Sequence, residues 1–200
     1  AYERFKNAGA SYPAAMMTSA QAVSYWLLPS REGQAALDQL SALACQGAGD
    51  CFLLPPHITL FSRPLTGDND AFPEHVIDQL QQLADCRMPV QLWPKAIEAT
   101  RIYTQSLVLR FGAGARTELL PWSLQLRKSA ASPTNYRFDT HLSLLYSQDT
   151  LERRQEIAQR LPLPDGPLLF ERISAVTHPL TISGPVEIAA CISLHTCSLS

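Results

Sequence analysis

Two histidines of this sequence are each followed, two residues later, by a hydroxyl side chain. The tetrapeptides that contain them are HITL at 57–60 and HLSL at 141–144. Side chains alternate between the two faces of a strand, so His57 would share a face with Thr59, and His141 with Ser143. Imidazole has an ordinary pKa near neutrality, and hydroxyls can donate to phosphate oxygens. The pattern therefore predicts general acid–base chemistry on a phosphodiester, with no metal ligand required.

The two motifs occupy equivalent places in two similar series of predicted elements. The first series comprises a strand at 22–28, a helix capped by Ser30, a strand at 57–61, a helix with Pro73 in its first turn and a strand within 88–99. The second comprises a strand within 101–111, a helix near 117–130, a strand at 140–146, a helix that Asp149 caps with Glu152 three residues on, and strands within 168–178 and 185–193. We interpret the shared order as an internal duplication, with halves at about 21–98 and 101–195.

Helices mixed with strands on short connections indicate an α+β fold. We expect a bilobal, duplicated arrangement in which two sheets face each other across a central cleft and helices lie on the outside. Residues 1–20 precede the first strand and are interpreted as an N-terminal extension, so that 21–200 form a single bilobal domain. If a pseudo-twofold axis relates the lobes, the two histidine motifs meet in the cleft and surround one small site.

Composition restricts the classes of function. The chain has 200 residues, of which 46% are hydrophobic, which is enough to bury a core. Its 16 Lys and Arg against 18 Asp and Glu give a formal net charge of -2, so long nucleic acid is not an expected partner. The apolar runs stop far short of the roughly 20 residues that cross a bilayer, so no membrane association is expected.

The five cysteines lie at 45, 51, 86, 191 and 197, an odd number without metal-ligand spacing. Neither a zinc site nor a full disulfide framework is therefore expected. A reducing compartment, the cytoplasm, is the expected location, since the first 20 residues also lack the pattern of a secretory leader. Cys45 and Cys51 flank a tight turn and could form a disulfide if oxidised, but two unpaired buried thiols are the favoured interpretation.

The strings PPHITLF and DTHLSLLYS resemble the paired motifs of the 2H phosphoesterase superfamily. SYWLLPS, and the Asp-capped helix after HLSLLYS, are similar to its cyclic phosphodiesterase branch from plants and yeast, over about Ser24 to Ser193. The resemblance implies antiparallel sheets and the hydrolysis of nucleoside 2′,3′-cyclic phosphates and of ADP-ribose 1″,2″-cyclic phosphate. It also implies that no metal or other cofactor takes part. We expect a monomer that binds a small cyclic phosphate nucleotide.

The resemblance also assigns roles by position. Its catalytic residues correspond to His57, Thr59, His141 and Ser143, with the histidines as acid and base. Its substrate-binding residues correspond to Tyr146, Trp26 and Tyr103, the last two near the nucleoside. On a regular strand Tyr146, three residues after Ser143, would lie on the opposite face, so its place in the site requires a bend or a strand end. Trp26 could equally be a core tryptophan.

Other candidate residues receive plainer interpretations. His75, His178 and His195 are expected at the surface, and Trp93 and Trp122 in core or lid packing. Four arginines could hold a second phosphate, and spacing does not select among Arg101, Arg110, Arg116 and Arg137.

Two other functions stay open. One is an RNA end-processing 2H enzyme that acts on oligonucleotides with a 2′,3′-cyclic end or a 2′,5′ linkage. The absence of a Lys/Arg-rich stripe argues against a long RNA track. The other is a nucleotide-binding module without turnover, which would have no need to keep both His-x-hydroxyl triplets.

Overall fold

A computed structural model describes residues 20–65, 73–130 and 134–200, so the predicted N-terminal extension lies outside the described residues except for its last one. The described residues form eight strands: β1 (Gln21–Pro29), β2 (Ile58–Pro64), β3 (Val90–Leu92), β4 (Pro94–Ala99), β5 (Leu107–Phe111), β6 (His141–Leu145), β7 (Leu168–Pro179) and β8 (Ile192–Ser198). The larger sheet has the order β2-β1-β7-β3, and β8 also pairs with β7. The smaller has the order β4-β5-β6. All pairings are antiparallel.

Within the same described ranges, the sheets are accompanied by five helices and one 3₁₀ turn: α1 (Arg31–Gly47), α2 (Glu74–Ala84), the turn Tyr103–Gln105, α3 (Ala113–Lys128), α4 (Leu151–Arg160) and α5 (Pro185–Ala189). Helix α1 packs against β1 and β6, α2 against β7 and β8, α3 against β2, and α4 against β4. One cluster of buried apolar side chains joins both sheets to α1, α2 and α3. Among the described residues, no helix has the length and apolar character that a bilayer span requires.

Strand β1 connects the core to the cleft. Tyr25 and Leu27 are fully buried in the core on one face, and alternation places Ser24 and Trp26 on the other face. The strand ends at Pro29, and the hydroxyl of the following Ser30 accepts a hydrogen bond from the Gly33 amide at 3.1 Å and caps α1 as predicted.

The predicted α+β class with two antiparallel sheets is confirmed. The sheets do not, however, follow the boundary that the sequence suggested between residues 98 and 101. Strand β4 lies before that boundary but pairs with β5, and β7 pairs with β1 along most of its length. The larger sheet is therefore completed only by the C-terminal strands, which follow the whole of the smaller sheet in the chain.

The predicted cap of α4 is wrong by one residue. The Thr150 hydroxyl, not Asp149, accepts the hydrogen bond from the Arg153 amide at 3.2 Å. The Asp149 carboxylate instead accepts from the Gly49 amide at 2.7 Å, across a hundred positions of sequence. A hydrogen bond to a residue distant in sequence thus engages the Asp149 side chain, which the local pattern predicted as the helix cap.

The strand predicted over 185–193 is also wrong. The segment begins as α5, because Pro185 supplies a helical φ at the first position and lacks the amide that a strand would use. Strand β8 starts only at Ile192.

The interpretation of Cys45 and Cys51 as unpaired thiols is wrong as well. They form a disulfide, with 5.4 Å between the Cα atoms. Cys45 lies in the last turn of α1, and the following turn brings Cys51 back beside it. Of the remaining cysteines, Cys86 is exposed, whereas Cys191 and Cys197 are buried.

Candidate active site

A cavity of about 220 Å³ lies between the two sheets and contains both histidine motifs. His57 immediately precedes β2 of the larger sheet, and His141 opens β6 of the smaller one. Thr59 and Ser143 line the same cavity. The structure thus brings together the four residues that the sequence predicted as catalytic, one pair from each sheet.

Both imidazoles are held in the same way. The Nδ1 atom of His57 lies 2.7 Å from the carbonyl oxygen of Pro55, and Nδ1 of His141 lies 3.1 Å from that of Asp139. In each motif the carbonyl belongs to the residue two positions earlier. Because a carbonyl can only accept, Nδ1 carries the proton and Nε2 remains available for chemistry.

The environments of the two histidines differ. His57 is buried, and its ring stacks on Trp26 with 3.7 Å between ring centroids. Burial, with smaller contributions from the charges of His141 and His178, lowers the pKa of His57 to about 4, although the Pro55 carbonyl opposes the shift. His57 is therefore a neutral imidazole at neutral pH.

His141 instead lies beside a carboxylate. Its Nδ1 is 3.2 Å from Oδ2 of Asp139, and Arg110 donates to both oxygens of that carboxylate, at 2.9 and 2.7 Å. Arg110 also pairs with Glu98 at 3.1 Å. Hydrogen bonds from His141, and then from Arg110, hold the pKa of Asp139 well below its usual value. A fixed negative charge thus faces one imidazole and not the other.

The two hydroxyls of the motifs differ in their present partners. Ser143 donates to the carbonyl oxygen of Thr104 at 2.8 Å, so it must rotate before it can donate to a bound anion. The backbone carbonyl of Thr59 accepts a hydrogen bond from the Tyr136 hydroxyl at 2.8 Å, which fixes that strand position.

On a regular strand Tyr146 would lie on the face opposite to Ser143. An irregularity at the end of β6 nevertheless allows it to line the cavity. The register between β5 and β6 shifts between Leu107 and Val108, β6 ends at Leu145, and Tyr146 forms an isolated bridge with Phe52. Burial raises the pKa of Tyr146, which a hydrogen bond with Ser143 offsets only in part. The phenol stays protonated and can act as a hydrogen-bond donor.

The aromatic residues predicted near the nucleoside take different places. Trp26 lines the cavity, but one face of its indole is covered by His57, so only its other face or its edge can contact a ligand. Tyr103 lies behind Tyr146, with 6.2 Å between ring centroids, and does not line the cavity. Its hydroxyl is buried without a hydrogen-bond partner among the described residues.

Sequence reasoning missed a third imidazole in the cleft. His178 was predicted at the surface but is buried and lines the cavity. Its Nε2 lies 2.7 Å from the Ser24 hydroxyl, which in turn is 2.9 Å from the Ser62 hydroxyl. His178 lies near the end of β7, which pairs with β1, a strand about 150 residues earlier in the chain. The local pattern of apolar residues therefore could not predict that His178 faces the cavity.

The remaining tryptophans and histidines differ in whether their burial agrees with the prediction. Trp122 is buried in the core as predicted, whereas Trp93 is 62% exposed, against the prediction. His195 is exposed, and His75 is half-buried.

Of the four arginines considered for a second phosphate, only Arg137 lines the cavity between the two sheets. Arg110 is engaged with Asp139 and Glu98, and Arg116 donates to the Phe138 carbonyl at 2.8 Å. Within the part of the chain that the structure describes, no group of three or more His, Cys, Asp or Glu side chains could hold a metal ion.

No family model matches the sequence, and no curated protein matches it either. Solved structures do match in three dimensions. The chain superposes on TT0787 of Thermus thermophilus with a TM-score of 0.59 and 18% identity, over 89% of this chain and 97% of that one. It superposes on the apo form of LigT from E. coli with a TM-score of 0.58 and 17% identity, over 92% and 99%. With E. coli LigT complexed with 3′-AMP the TM-score is 0.55 and the sequence identity 16%, over 90% of this chain and 99% of that one.

Both proteins are members of the 2H phosphoesterase family. At these identities the likeness establishes architecture, and it extends over nearly the whole length of each neighbour. The resemblance first suggested by the HITL and HLSL tetrapeptides therefore holds at the level of structure: this chain has the 2H phosphoesterase fold.

Proposed function

We propose that the chain is a cyclic phosphodiesterase that opens a nucleoside 2′,3′-cyclic phosphate or a related cyclic phosphate, with His57 and His141 as its base and acid. The single observation that carries the proposal is one cavity lined by both His-x-hydroxyl motifs, each imidazole with its Nδ1 engaged and its Nε2 available. A binding-only site would not need two such imidazoles.

The unequal environments of the two histidines support this assignment of base and acid. His57, buried and neutral, can accept a proton on Nε2 from an attacking water. His141 lies beside the Asp139 carboxylate, which stabilises an imidazolium, so its Nε2 can donate a proton to the departing alkoxide. Water adds to phosphorus, the bond from phosphorus to the leaving ribose oxygen breaks, and the product is a phosphomonoester.

The remaining polar groups of the cavity can donate hydrogen bonds to the negatively charged phosphate oxygens. The Thr59 and Ser143 hydroxyls and the protonated Tyr146 phenol line the cavity around the imidazoles. Such donors stabilise charge that grows in the transition state, provided that Ser143 releases the Thr104 carbonyl. By resemblance to the plant and yeast branch, the 3′-oxygen leaves and the product is the 2′-phosphate.

Three features support a nucleotide as substrate and a mechanism without metal. E. coli LigT, which shares the fold, has been solved with 3′-AMP bound. The cavity volume of about 220 Å³ suits a ribose cyclic phosphate better than a long strand of RNA. Acid, base and anion donors are all supplied by side chains, so the proposed steps need no metal. We further propose that the chain acts as a monomer.

The direct test is incubation with adenosine 2′,3′-cyclic phosphate in excess EDTA, with products identified by phosphorus NMR. The proposal predicts adenosine 2′-phosphate as the main product and no loss of rate with the chelator. If adenosine 3′-phosphate were the main product, the substrate would have to bind in the opposite orientation, with its 2′-oxygen facing the acid. Loss of turnover on chelation, restored by zinc or magnesium, would contradict the metal-free mechanism.

A further inference from the structure

Arg137 is a cationic side chain of the cavity between the two sheets that the proposed steps leave unused. It lies four residues before His141, in the segment that leads from α3 to β6, and it lines the cavity with an exposed side chain. Among the described residues, no ion pair engages its guanidinium. Its N–H groups are therefore available to a ligand.

The backbone on either side of Arg137 is held in place. Before it, the Tyr136 hydroxyl donates to the carbonyl oxygen of Thr59 at 2.8 Å. After it, the carbonyl oxygen of Phe138, a buried residue, accepts a hydrogen bond from Arg116 at 2.8 Å. Because both neighbours are already ordered, binding of a ligand by Arg137 costs little more than the conformational entropy of one side chain.

The same contacts place Arg137 between the two histidine motifs. The residue before it, Tyr136, bonds to Thr59 of the first motif. Two residues after it, Asp139 contacts Nδ1 of His141 in the second motif through its carbonyl oxygen and its carboxylate. The proposed reaction puts the phosphate between these motifs, so the guanidinium is carried by the segment that joins their supports.

The charges around the cavity give Arg137 a distinct role. When His141 is an imidazolium, the positive charges of His141 and Arg110 face the negative charges of Asp139 and Glu98. This cluster is balanced and offers no net charge to an anion. Among the described residues that line the cavity, Arg137 is the only Lys or Arg. Fixed positive charge is what stabilises the negative charge that grows on a phosphate under attack.

We propose that Arg137 is a further catalytic residue, whose guanidinium donates hydrogen bonds to the two non-bridging oxygens of the cyclic phosphate and stabilises the charge that grows on them as water adds to phosphorus. The inference rests on the proposed function and names the cation that this reaction uses. Arginine matches the task because its planar fork of N–H groups contacts two oxygens of one phosphate, whereas a lysine ammonium acts as a point charge.

The first measurement is kcat/KM on adenosine 2′,3′-cyclic phosphate. Arg137→Gln should lower it on the order of 10²-fold, the range expected for the loss of one donor to a transition-state anion. Arg137→Lys should retain part of the rate, since it keeps the charge without the fork. Arg160→Gln, which removes an exposed charge at the end of α4, is the matched control and should leave kcat/KM unchanged. Urea denaturation of each variant checks that its fold is intact.

The second measurement separates the phosphate from the nucleoside. NMR titrations of the histidine ring protons give the affinities for inorganic phosphate and for adenosine. Arg137→Gln should weaken the binding of phosphate by about tenfold, as expected for the loss of a charge-assisted hydrogen bond, and leave that of adenosine unchanged. An equal loss with adenosine would place the guanidinium on the nucleoside and overturn the proposal.

The proposed function and the role of Arg137 can fail separately. If the unsubstituted protein is active while Arg137→Gln keeps its kcat/KM and its affinity for phosphate, Arg137 has no catalytic role and the proposed function stands. If the unsubstituted protein does not turn over the substrate, the proposed function is wrong, and the catalytic role of Arg137 is wrong with it.

Discussion

At the scale of single residues, a backbone carbonyl lies beside Nδ1 of both imidazoles, but only His141 also has a carboxylate there, that of Asp139. Asp139→Asn should remove the charge that stabilises the imidazolium. We predict that kcat on adenosine 2′,3′-cyclic phosphate falls by about tenfold, because the proposed proton donor loses a close opposite charge. The measurement is steady-state kinetics of the variant and of the unsubstituted protein at neutral pH.

Two variants control for a merely structural effect. Asp139→Glu keeps the charge and should retain part of kcat, whereas Glu98→Gln removes a carboxylate that contacts Arg110 and not His141 and should change kcat little. An unchanged kcat in Asp139→Asn would show that the Asp139 carboxylate does not assist His141.

In the proposed mechanism the acid limb of the kcat/KM profile belongs to His57, since kcat/KM would fall when the base is already protonated in the free protein. Burial lowers the pKa of His57 to about 4, and the indole of Trp26 covers one face of its ring. Trp26→Leu should expose the ring and move its pKa toward the ordinary 6.5. The acid limb should then rise, and an NMR titration of the His57 ring protons should rise with it. Trp26→Phe, which keeps an aromatic contact, should shift both less.

The sequence was informative for residues whose role follows from local pattern. Alternation along a strand is enough to place His57 with Thr59 and His141 with Ser143 on shared faces. The partners that tune these groups could not be predicted, because they arise from pairings distant in sequence. Arg110 faces His141 across β5 and β6, and His178 reaches the cleft from β7.

At the scale of elements, the turn after α1 supports the end of β6. Asp50 accepts hydrogen bonds from the Ser147 hydroxyl at 2.6 Å and from the Gln148 amide at 3.0 Å, and the Cys45–Cys51 disulfide closes the same turn. The neighbouring Phe52 pairs with Tyr146 in both directions, at 3.0 and 2.9 Å. The position of the site tyrosine thus depends on a loop that is distant in sequence.

Asp50→Ala should release this support. We predict a loss of about 1–3 kcal/mol in the free energy of unfolding, since the Ser147 hydroxyl and the Gln148 amide lose a charged acceptor. KM should rise as well, because Tyr146 is held less firmly. Urea denaturation and steady-state kinetics measure the two effects, with Asp165→Ala, at an exposed position, as the control. An unchanged KM together with lowered stability would show that the turn supports the fold and not the site.

Element prediction failed where a tertiary contact competed with local preference. Asp149 has the spacing of a helix cap, yet the Gly49 amide takes its carboxylate and Thr150 caps α4 instead. The duplicated order of elements was visible in the sequence, but strand pairing was not. Nothing local shows that β7 returns to lie beside β1.

At the scale of the whole molecule, buried neutral histidines make stability depend on pH. His57 takes up a proton below pH 6.5 in the unfolded chain but only below about 4 in the folded one, and burial also lowers the pKa of His178. Between these pH values the unfolded state binds more protons, so stability is full above pH 6.5 and is lost as the pH falls. His57 alone contributes on the order of 3 kcal/mol to this loss.

The prediction is a steep fall in the free energy of unfolding between pH 6.5 and pH 4, measured by urea denaturation at several pH values. His57→Gln should flatten the slope whatever its effect on stability at neutral pH, because glutamine does not titrate. The same steepness in the variant would mean that the acid sensitivity arises elsewhere.

The most direct test of the two-histidine mechanism is the kcat of His57→Ala, His141→Ala and the double variant on adenosine 2′,3′-cyclic phosphate. Each single variant should lose on the order of 10²-fold to 10⁴-fold, the range expected for a missing general acid or base. The double variant should fall little below the worse single one, because acid and base act as one unit. A single variant that folds normally and keeps near-wild-type kcat would show that its histidine is structural, and the proposed mechanism would be wrong.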